Sequence, residues 1–278
     1  MTKPRAIPTT IAAFAVFGMF GVFGVFGVSG CKKEEPPPPP AAPAPAVAAD
    51  GAAHAAAHAA VTATPEAARG SSVIKGSVKL DGARSEPKMI KRDTDPYCAR
   101  KQMPEEEITV SKDGHLKNVL VRISKGMTGN YDPPMTNATL DQSECMYRPR
   151  VQGIMAGQSL LIRNSDQTLH NVHSYKGAST IFNQAQVPGL PPMAKKFSEV
   201  GDIIKFKCDV HPWMTGYVAI MNHPFFAVTG DDGTFSIPKV PAGKYTLEAW
   251  HERLGVKTAE ISVTTDKPSE TTFSFTAP

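Results

Sequence analysis

The sequence has little excess charge of either sign and lacks the short motifs of several common enzyme classes. Its formal net charge is +4 over 278 residues, and a nucleic-acid-binding chain would carry a clustered basic excess. It contains neither a Gly-x-Ser-x-Gly turn nor a glycine-rich phosphate-binding loop. His251-Glu252 begins a zinc-protease motif, but Gly255 stands where the second histidine is required. These absences argue against nucleic-acid binding and against an enzyme.

The first 30 residues predict an export signal. Lys3 and Arg5 give a positive start, and an uncharged run of apolar residues and glycine extends over 11–28. Val28-Ser29-Gly30-Cys31 resembles a bacterial lipobox, so cleavage would leave a lipid-modified Cys31 as the first residue. An uncleaved transmembrane helix is the alternative, because roughly 18 apolar residues are just enough to span a bilayer. Both interpretations tether the rest of the chain to the cell envelope, on the periplasmic or outer-membrane side.

Residues 31–70 predict a disordered tether. The proline run 36–40 favours extended polyproline II structure, and the alanine-rich part has no apolar period that a fold could bury. His54 and His58 are spaced i, i+4 and would bind a metal loosely. Incidental histidines in a flexible segment are the simpler interpretation.

From residue 71 onward the pattern is that of an all-β protein. Turn signals at Asp81-Gly82 and at 155–158 separate runs of alternating apolar residues. The predicted strands, including one short run, lie at 73–80, 108–110, 118–123, 159–163, 203–207 and 216–221. The predicted domains are a signal peptide at 1–30, a tether at 31–70, a first β unit at 71–222 and a smaller β-sandwich at 223–278.

One stretch of this β region, residues 208–214, carries the chemistry. Cys208, His211 and Met214 are spaced i, i+3 and i+6, so a tight turn brings a thiol, an imidazole and a thioether to one side. These donors suit copper that cycles between Cu(I) and Cu(II). A further imidazole is available upstream, from His170 or His173. The alternative is a buried cysteine near a surface histidine and a core methionine, each of which is commonplace.

Several segments around this stretch carry a family resemblance. They are Asn164-Ser165-Asp166, His170-Asn171-Val172-His173, Phe206-Lys207-Cys208, His211-Pro212-Trp213-Met214 and Gly216-Tyr217-Val218. Together, over about residues 140–222, they resemble a cupredoxin of the plastocyanin and amicyanin kind. The resemblance implies a Greek-key β-sandwich that holds one type 1 copper ion.

The same resemblance implies a role for each residue of the site. His170, Cys208 and His211 would be the equatorial ligands, and Met214 would be the weak axial ligand. Asn171 would hold the ligand loops together by hydrogen bonds. His211 would be the ligand nearest the surface, and Pro212 and Trp213 beside it would form an apolar patch where a redox partner docks.

Two ambiguities concern the metal and its first ligand. Zinc also binds Cys and His, but the thioether of Met214 is a poor zinc ligand, which favours copper. His173 is the alternative to His170. The two would face opposite sides of a strand, and the resemblance favours the histidine before Asn171. His223 and His251 are interpreted as ordinary surface or packing residues.

Cysteine is scarce, with only four in the chain. Once Cys31 and Cys208 are assigned, Cys98 and Cys145 remain. An even pair in an exported domain favours a disulfide. Buried free thiols are the alternative, and a second metal site is less favoured because neither cysteine lies in a spaced ligand motif.

The C-terminal segment predicts a second sandwich with a different resemblance. Asp232-Gly233-Thr234-Phe235 and residues 240–247 resemble the carboxypeptidase regulatory-like, transthyretin-like β-sandwich, which is usually non-catalytic. Members often begin with Gly-x-Val-x-Leu, and Gly76–Leu80 fits this pattern. Strands within 71–125 are therefore candidates for the same sandwich, with the copper unit inserted into it. The sequence leaves this pairing open.

The combined prediction is an exported, membrane-tethered blue copper protein that is not an enzyme. A closed site with four protein ligands leaves no position for a substrate, so we expect a one-electron carrier. Its partners would be redox proteins such as a cytochrome or a periplasmic oxidoreductase. The alternatives are a copper carrier or buffer that delivers the ion to another enzyme, and a non-catalytic adhesion or structural lipoprotein.

Overall fold

The computed structural model describes residues 69–83 and 86–278. These ranges contain sixteen β-strands, one short 3-10 helix at Cys98–Arg100 and no α-helix. The predicted all-β class is confirmed. No helix within these ranges is long and apolar enough to cross a membrane. The predicted signal peptide, the lipidation site Cys31, the tether up to residue 68 and the two tether histidines lie outside the described residues.

One pair of sheets, here called the terminal sandwich, combines strands from both ends of the described chain. Its strands are β1 (Ser72–Asp81), β2 (Leu120–Lys125), β12 (Phe226–Val228), β13 (Thr234–Val240), β14 (Gly243–His251), β15 (Gly255–Val263) and β16 (Ser269–Thr276). The strand orders are β13-β1-β16 in one sheet and β12-β2-β14-β15 in the other. β1 pairs in parallel with β16 and antiparallel with β13, while β2 pairs antiparallel with both β12 and β14.

The alternating sequence of these strands explains the core between the two sheets. Tyr245, Leu247 and Ala249 of β14 are buried on one face, as the two-residue period of a strand requires. Gly76 of β1 lies against the ring of Phe235, and a β-carbon at position 76 would lie 2.7 Å from that ring. Gly76 and Phe235 are paired residues of neighbouring strands in one sheet, so the ring can lie over β1 only because position 76 has no side chain.

A second pair of sheets, the central sandwich, lies between β2 and β12 in the chain. Its strands are β3 (Ala138–Ser143), β4 (Met146–Arg148), β5 (Val151–Met155), β6 (Ser159–Asn164), β7 (His170–Lys176), β8 (Ser179–Gln186), β9 (Met193–Lys196), β10 (Ile203–Lys207) and β11 (Thr215–Met221). The orders are β5-β11-β10-β7-β8 and β4-β3-β6-β9. One core of buried residues includes members of both sheets.

Aromatic packing holds the centre of this core. Phe206 of β10 is fully buried, and its ring lies 6.3 Å from those of Tyr147 and Phe197. The Tyr147 hydroxyl lies 3.0 Å from the carbonyl oxygen of Asn171 and 3.1 Å from that of Lys207. Tyr147 thus connects β4 to the backbones of β7 and β10, which lead to the predicted ligands.

One predicted strand does not form. Residues 108–110 make only an isolated bridge, between Val110 and Leu116. Ser111 and Gly114 close a turn at this point, because Gly114 N donates to Ser111 O at 3.0 Å, a bond that is typical of a reverse turn. Ile108 and Val110 pack against the terminal-sandwich core instead. Their apolar character therefore reflects burial without strand pairing.

Candidate metal centre

Adjacent strands bring the predicted ligands together. β7 begins with His170 and pairs with β10, which ends one residue before Cys208. The loop of residues 208–214 then connects β10 to its neighbour β11. Within it, Met214 N donates to His211 O at 2.9 Å, and Cys208 N donates to Met214 O at 3.3 Å. These bonds fold the loop tightly onto strands that fix its position.

Three donor atoms converge at this loop. The Nδ1 atoms of His170 and His211 are 2.9 Å apart, and they lie 3.9 and 3.8 Å from the Sγ atom of Cys208. Metal bonds to nitrogen and sulfur are about 2.0–2.3 Å long, so donors closer than about 4 Å can share one ion. All three side chains are fully buried, and so is Met214, which belongs to the same core cluster as Cys208.

The outer nitrogens of the two histidines are held by carboxylates. His170 Nε2 lies 2.9 Å from Asp166 Oδ2, and His211 Nε2 lies 2.9 Å from Asp95 Oδ2. An ionised carboxylate only accepts hydrogen bonds, so each ring carries a proton on Nε2 and turns its Nδ1 toward the other ring. Two Nδ1 lone pairs that face each other at 2.9 Å repel unless a positive charge lies between them, which is a shared proton in the metal-free site or a metal ion that both nitrogens bind. The arrangement therefore fits a bound metal ion.

The surroundings of Cys208 lower the pKa of its thiol. Burial alone would raise its pKa, but hydrogen bonds with His170 and His211 and from the Asn171 N–H outweigh burial and lower the pKa to about 6. For His170, burial acts in the opposite direction and lowers the pKa. Asp166 and Cys208 raise this pKa by more, so it lies above its ordinary value. Cys208 therefore presents a thiolate at neutral pH, which is the form that binds metals.

Asn171 joins the two ligand-bearing segments. Its backbone N–H donates to Cys208 Sγ at 3.5 Å, and its side-chain oxygen accepts from Asp209 N at 2.5 Å. His173 lies outside this cluster. Its Nδ1 atom is 2.9 Å from Asp209 Oδ2, and its ring stacks on Tyr175 with centroids 4.1 Å apart. The structure thus brings His170, and not His173, to Cys208 and His211.

A separate segment covers His211, the ligand that the resemblance places nearest the surface. Its ring is completely buried. Asp95 contacts its outer nitrogen, and Cys98 Sγ lies 3.6 Å from the same atom. Cys98 forms a disulfide with Cys145, which fixes the covering segment, residues 95–98, to the turn between β3 and β4. The resemblance could not show this cover, because residues 95–98 lie outside the similar region.

The predicted docking residues lie at the edge of this cover. Pro212 is exposed and Trp213 is half-buried. The Trp213 indole N–H donates to the carbonyl oxygen of Cys145 at 3.0 Å, and its ring centroid lies 5.2 Å from that of His211. Trp213 therefore contacts both the covering disulfide and a predicted ligand.

Asp95 and Asp166 are the site residues that the sequence did not predict as such. Asp166 was part of a family-like segment, four residues before His170, but no spacing rule assigned it a role. Asp95 lies 116 residues before its partner His211. Only its position three residues before a paired cysteine could have drawn attention to it.

His223 and His251, which the sequence predicts to be ordinary surface or packing residues, are both buried. His223 Nε2 lies 2.9 Å from the carbonyl oxygen of Ile123, and its Nδ1 accepts from Phe225 N. His251 Nδ1 accepts from Arg253 N, and its ring lies 6.2 Å from that of Phe275. Neither belongs to a group of possible metal ligands among the described residues.

Part of the chain is similar to copper proteins. A purple cupredoxin from Nitrosopumilus maritimus is 25% identical over 30% of this chain and 98% of its own, with a TM-score of 0.27. Amicyanin from Paracoccus versutus is 20% identical over 36% of this chain and 96% of its own, with a TM-score of 0.28. A copper-containing nitrite reductase from Thermus scotoductus is 16% identical over 37% of this chain and 25% of its own, with a TM-score of 0.29.

The C-terminal region has a different similarity. A family model described as polysaccharide lyase family 4, domain II, matches residues 213–272. The carboxypeptidase regulatory-like assignment of this region stays a prediction. A search of curated proteins finds no match.

Proposed function

We propose that the protein is a one-electron carrier that holds a single copper ion between His170, Cys208, His211 and Met214. The observation that carries the proposal is the convergence of two imidazole nitrogens and one thiolate, all fully buried and all within 4.8 Å of one another. Bound copper would supply a one-electron change of oxidation state. Soft thiolate and thioether donors beside two imidazoles favour copper over harder ions.

The residues of the chain contribute rigidity and the exclusion of water. The ligand loop is anchored on β10 and β11, and Asn171 ties it to β7. Ligands held in this way move little when the charge of the ion changes. Because all four side chains are fully buried, no open position faces solvent. This supports electron transfer rather than catalysis on a bound substrate.

The proposed partner is another redox protein, such as a cytochrome or a periplasmic oxidoreductase. We place its docking patch at Pro212 and Trp213, since Pro212 is exposed and Trp213 contacts the ring of His211. The described residues of the ligand loop also include Val210, which is 47% exposed. An exposed apolar patch beside a buried redox site suits weak and transient association.

The proposed location is the cell envelope, where the exported chain would be lipid-anchored on the periplasmic or outer-membrane side. Its basis is the export-signal pattern and the lipobox-like segment that ends at Cys31. The lipid on Cys31 would anchor the chain, and the proline-rich tether would hold the copper domain away from the bilayer.

The test is the visible spectrum of the full-length, detergent-solubilised protein after copper loading. We expect an intense thiolate-to-copper charge-transfer band that bleaches on reduction and returns on oxidation, with one copper per chain. Tight Cu(I) binding without this band would favour a copper carrier. A protein that binds no copper would favour a structural or adhesion role, and either result would reject electron transfer.

A further inference from the structure

The two histidines of the candidate centre are supported from outside by a symmetrical arrangement of carboxylates. Asp166 accepts from His170 Nε2 and Asp95 accepts from His211 Nε2, each at 2.9 Å. Both rings are fully buried, Asp166 is 2% exposed and the Asp95 side chain is 17% exposed. Each imidazole therefore has a metal-facing nitrogen on one side and a poorly hydrated negative charge on the other.

The disulfide fixes both carboxylates. Cys98 N donates to Asp95 Oδ1 at 3.1 Å, and Cys145 N donates to Asp166 Oδ2 at 2.8 Å. Because Cys98 and Cys145 are bonded to each other, the two carboxylates are held at the two ends of one covalent bridge. Thr168 further restrains Asp95 through a 2.7 Å hydrogen bond to Oδ2. Neither carboxylate can turn away from its histidine without breaking several bonds.

We propose that Asp95 and Asp166 are positioning residues that tune the copper ion through His211 and His170. By accepting the Nε2 protons they fix both rings with Nδ1 toward the metal and make both imidazoles more basic. Their negative charges also favour the more highly charged Cu(II) state over Cu(I). The pair therefore lowers the reduction potential. This inference rests on the proposed copper site and assigns its potential to residues beyond the ligands.

The first test is the reduction potential of copper-loaded Asp95→Asn and Asp166→Asn. The amide keeps the shape of the side chain but removes its charge and weakens its acceptance from Nε2–H. Mutation of a residue that accepts the outer N–H of a metal-bound histidine typically changes metal affinity 10- to 100-fold. We expect each variant to shift the Cu(II)/Cu(I) affinity ratio at least about tenfold toward Cu(I), a rise in potential of about 59 mV for a one-electron couple.

Glu144→Gln is the matched control. Glu144 is next to Cys145 in the same cover, but its carboxylate pairs with Lys101 and is 44% exposed. The Glu144→Gln substitution therefore removes one nearby negative charge, and the side chain that it changes contacts neither ligand ring. We expect a clearly smaller shift than in the Asp variants. Equal shifts in all three variants would overturn the positioning role and leave only a general charge effect.

The second test starts from the wild-type protein and does not depend on the colour of bound copper. In the zinc-loaded wild-type protein, NMR should show two slowly exchanging histidine Nε2–H signals, one for each ring. Asp95→Asn should shift or lose only the His211 signal, and Asp166→Asn only the His170 signal. Absence of both signals in the wild type would overturn the proposal even if a variant fails to fold. If the wild type binds copper and both Asp→Asn variants keep the wild-type reduction potential, only this inference is rejected. If the wild type binds no copper, the proposed function is rejected.

Discussion

Arg150 and Glu252 form a buried, two-pronged ion pair that joins the two sandwiches. The Nε and Nη2 atoms of Arg150 lie 2.5 and 2.9 Å from the two carboxylate oxygens of Glu252, and both side chains are only 5% exposed. Arg150 immediately precedes β5 of the central sandwich, and Glu252 immediately follows β14 of the terminal sandwich. Each charged group is stabilised mainly by the other, because neither side chain has much contact with water.

Glu252→Gln should therefore destabilise the protein strongly. Removal of one partner leaves a buried charge uncompensated, which typically costs about 3–5 kcal/mol. The double variant Arg150→Met with Glu252→Leu should recover much of this loss, since it leaves no buried charge. Urea unfolding gives the free energy of unfolding of the wild type, Glu252→Gln and the double variant. As a control, Lys101→Gln breaks a pair whose side chains are 57% and 44% exposed, and it should cost less than about 1 kcal/mol.

The candidate ligands should differ in how much each one matters. Cys208→Ser should abolish the intense colour, because the absorption band needs the thiolate. His170→Ala and His211→Ala should open a coordination position and lose blue-copper character. Met214→Leu should retain copper with a raised reduction potential, because an axial thioether bond is weak.

Copper content, spectrum and potential measured for each variant check this order. His173→Ala is the control, since its ring bonds to Asp209 and not to the cluster. A His173→Ala protein without copper, beside an unaffected His170→Ala protein, would show that the ligand assignment is wrong.

Loss of the Cys98–Cys145 bridge should affect both stability and the metal centre. The bridge closes a loop with a sequence separation of 47, which corresponds to about 4 kcal/mol in the chain-entropy description. The double variant Cys98→Ala with Cys145→Ala should lose stability of that order and give Asp95 freedom to leave His211. Denaturant unfolding measures the first effect. Thiol labelling of the denatured, non-reduced wild type should find neither cysteine free.

His251 should make stability depend on pH. Burial, aided by the nearby charge of Arg150, lowers its pKa to about 4, while the unfolded value is about 6.5. The unfolded chain therefore takes up the proton first as pH falls, so this contribution is complete above pH 6.5 and is lost toward pH 4. Between pH 7 and pH 5 the wild type should lose about 2 kcal/mol from this group.

His251→Gln should remove that slope. The comparison is the difference in unfolding free energy between pH 7 and pH 5 for the two proteins, so any constant cost of the substitution cancels. Parallel pH profiles for wild type and variant would contradict the assignment of the slope to His251.

Cys31→Ser tests the envelope anchor. If Cys31 carries lipid, the variant should stay unprocessed or lose its attachment to membranes, because serine supplies no thiol for the modification. Mass spectrometry of the purified proteins distinguishes the forms. A wild-type chain that begins at Met1 without a lipid would contradict the prediction.

Regular alternation made most strands predictable. Residues 203–207 were predicted as a strand and form β10, and residues 159–163 form all but the last residue of β6. These strands bury one face, so their sequence repeats every two residues. The run at 108–110 was wrongly predicted as a strand, because periodicity reports burial and not hydrogen-bond partners.

The site was predictable only where its members are close in sequence. Cys208, His211 and Met214 share one loop, so their spacing restricts how they can be arranged. Asp95 contacts His211 only after the disulfide and the fold bring distant segments together. No local pattern encodes such a contact. The burial of His211 was unpredictable for the same reason, since it depends on the segment that covers it.

The strand order of the terminal sandwich has a consequence for how the chain folds. The two strands that pair with β1 lie beyond the central sandwich in the chain, since Ser77 lies opposite Thr234 and Thr272. The central sandwich is complete in sequence by Met221, and its contacts are more local, so it should form first. Until the later strands are made, most of the backbone edges of β1 and β2 stay unpaired, which favours association between chains. A newly made molecule can thus assemble its ligand loop while the other sandwich is still open, and late truncations would release chains that aggregate through β1.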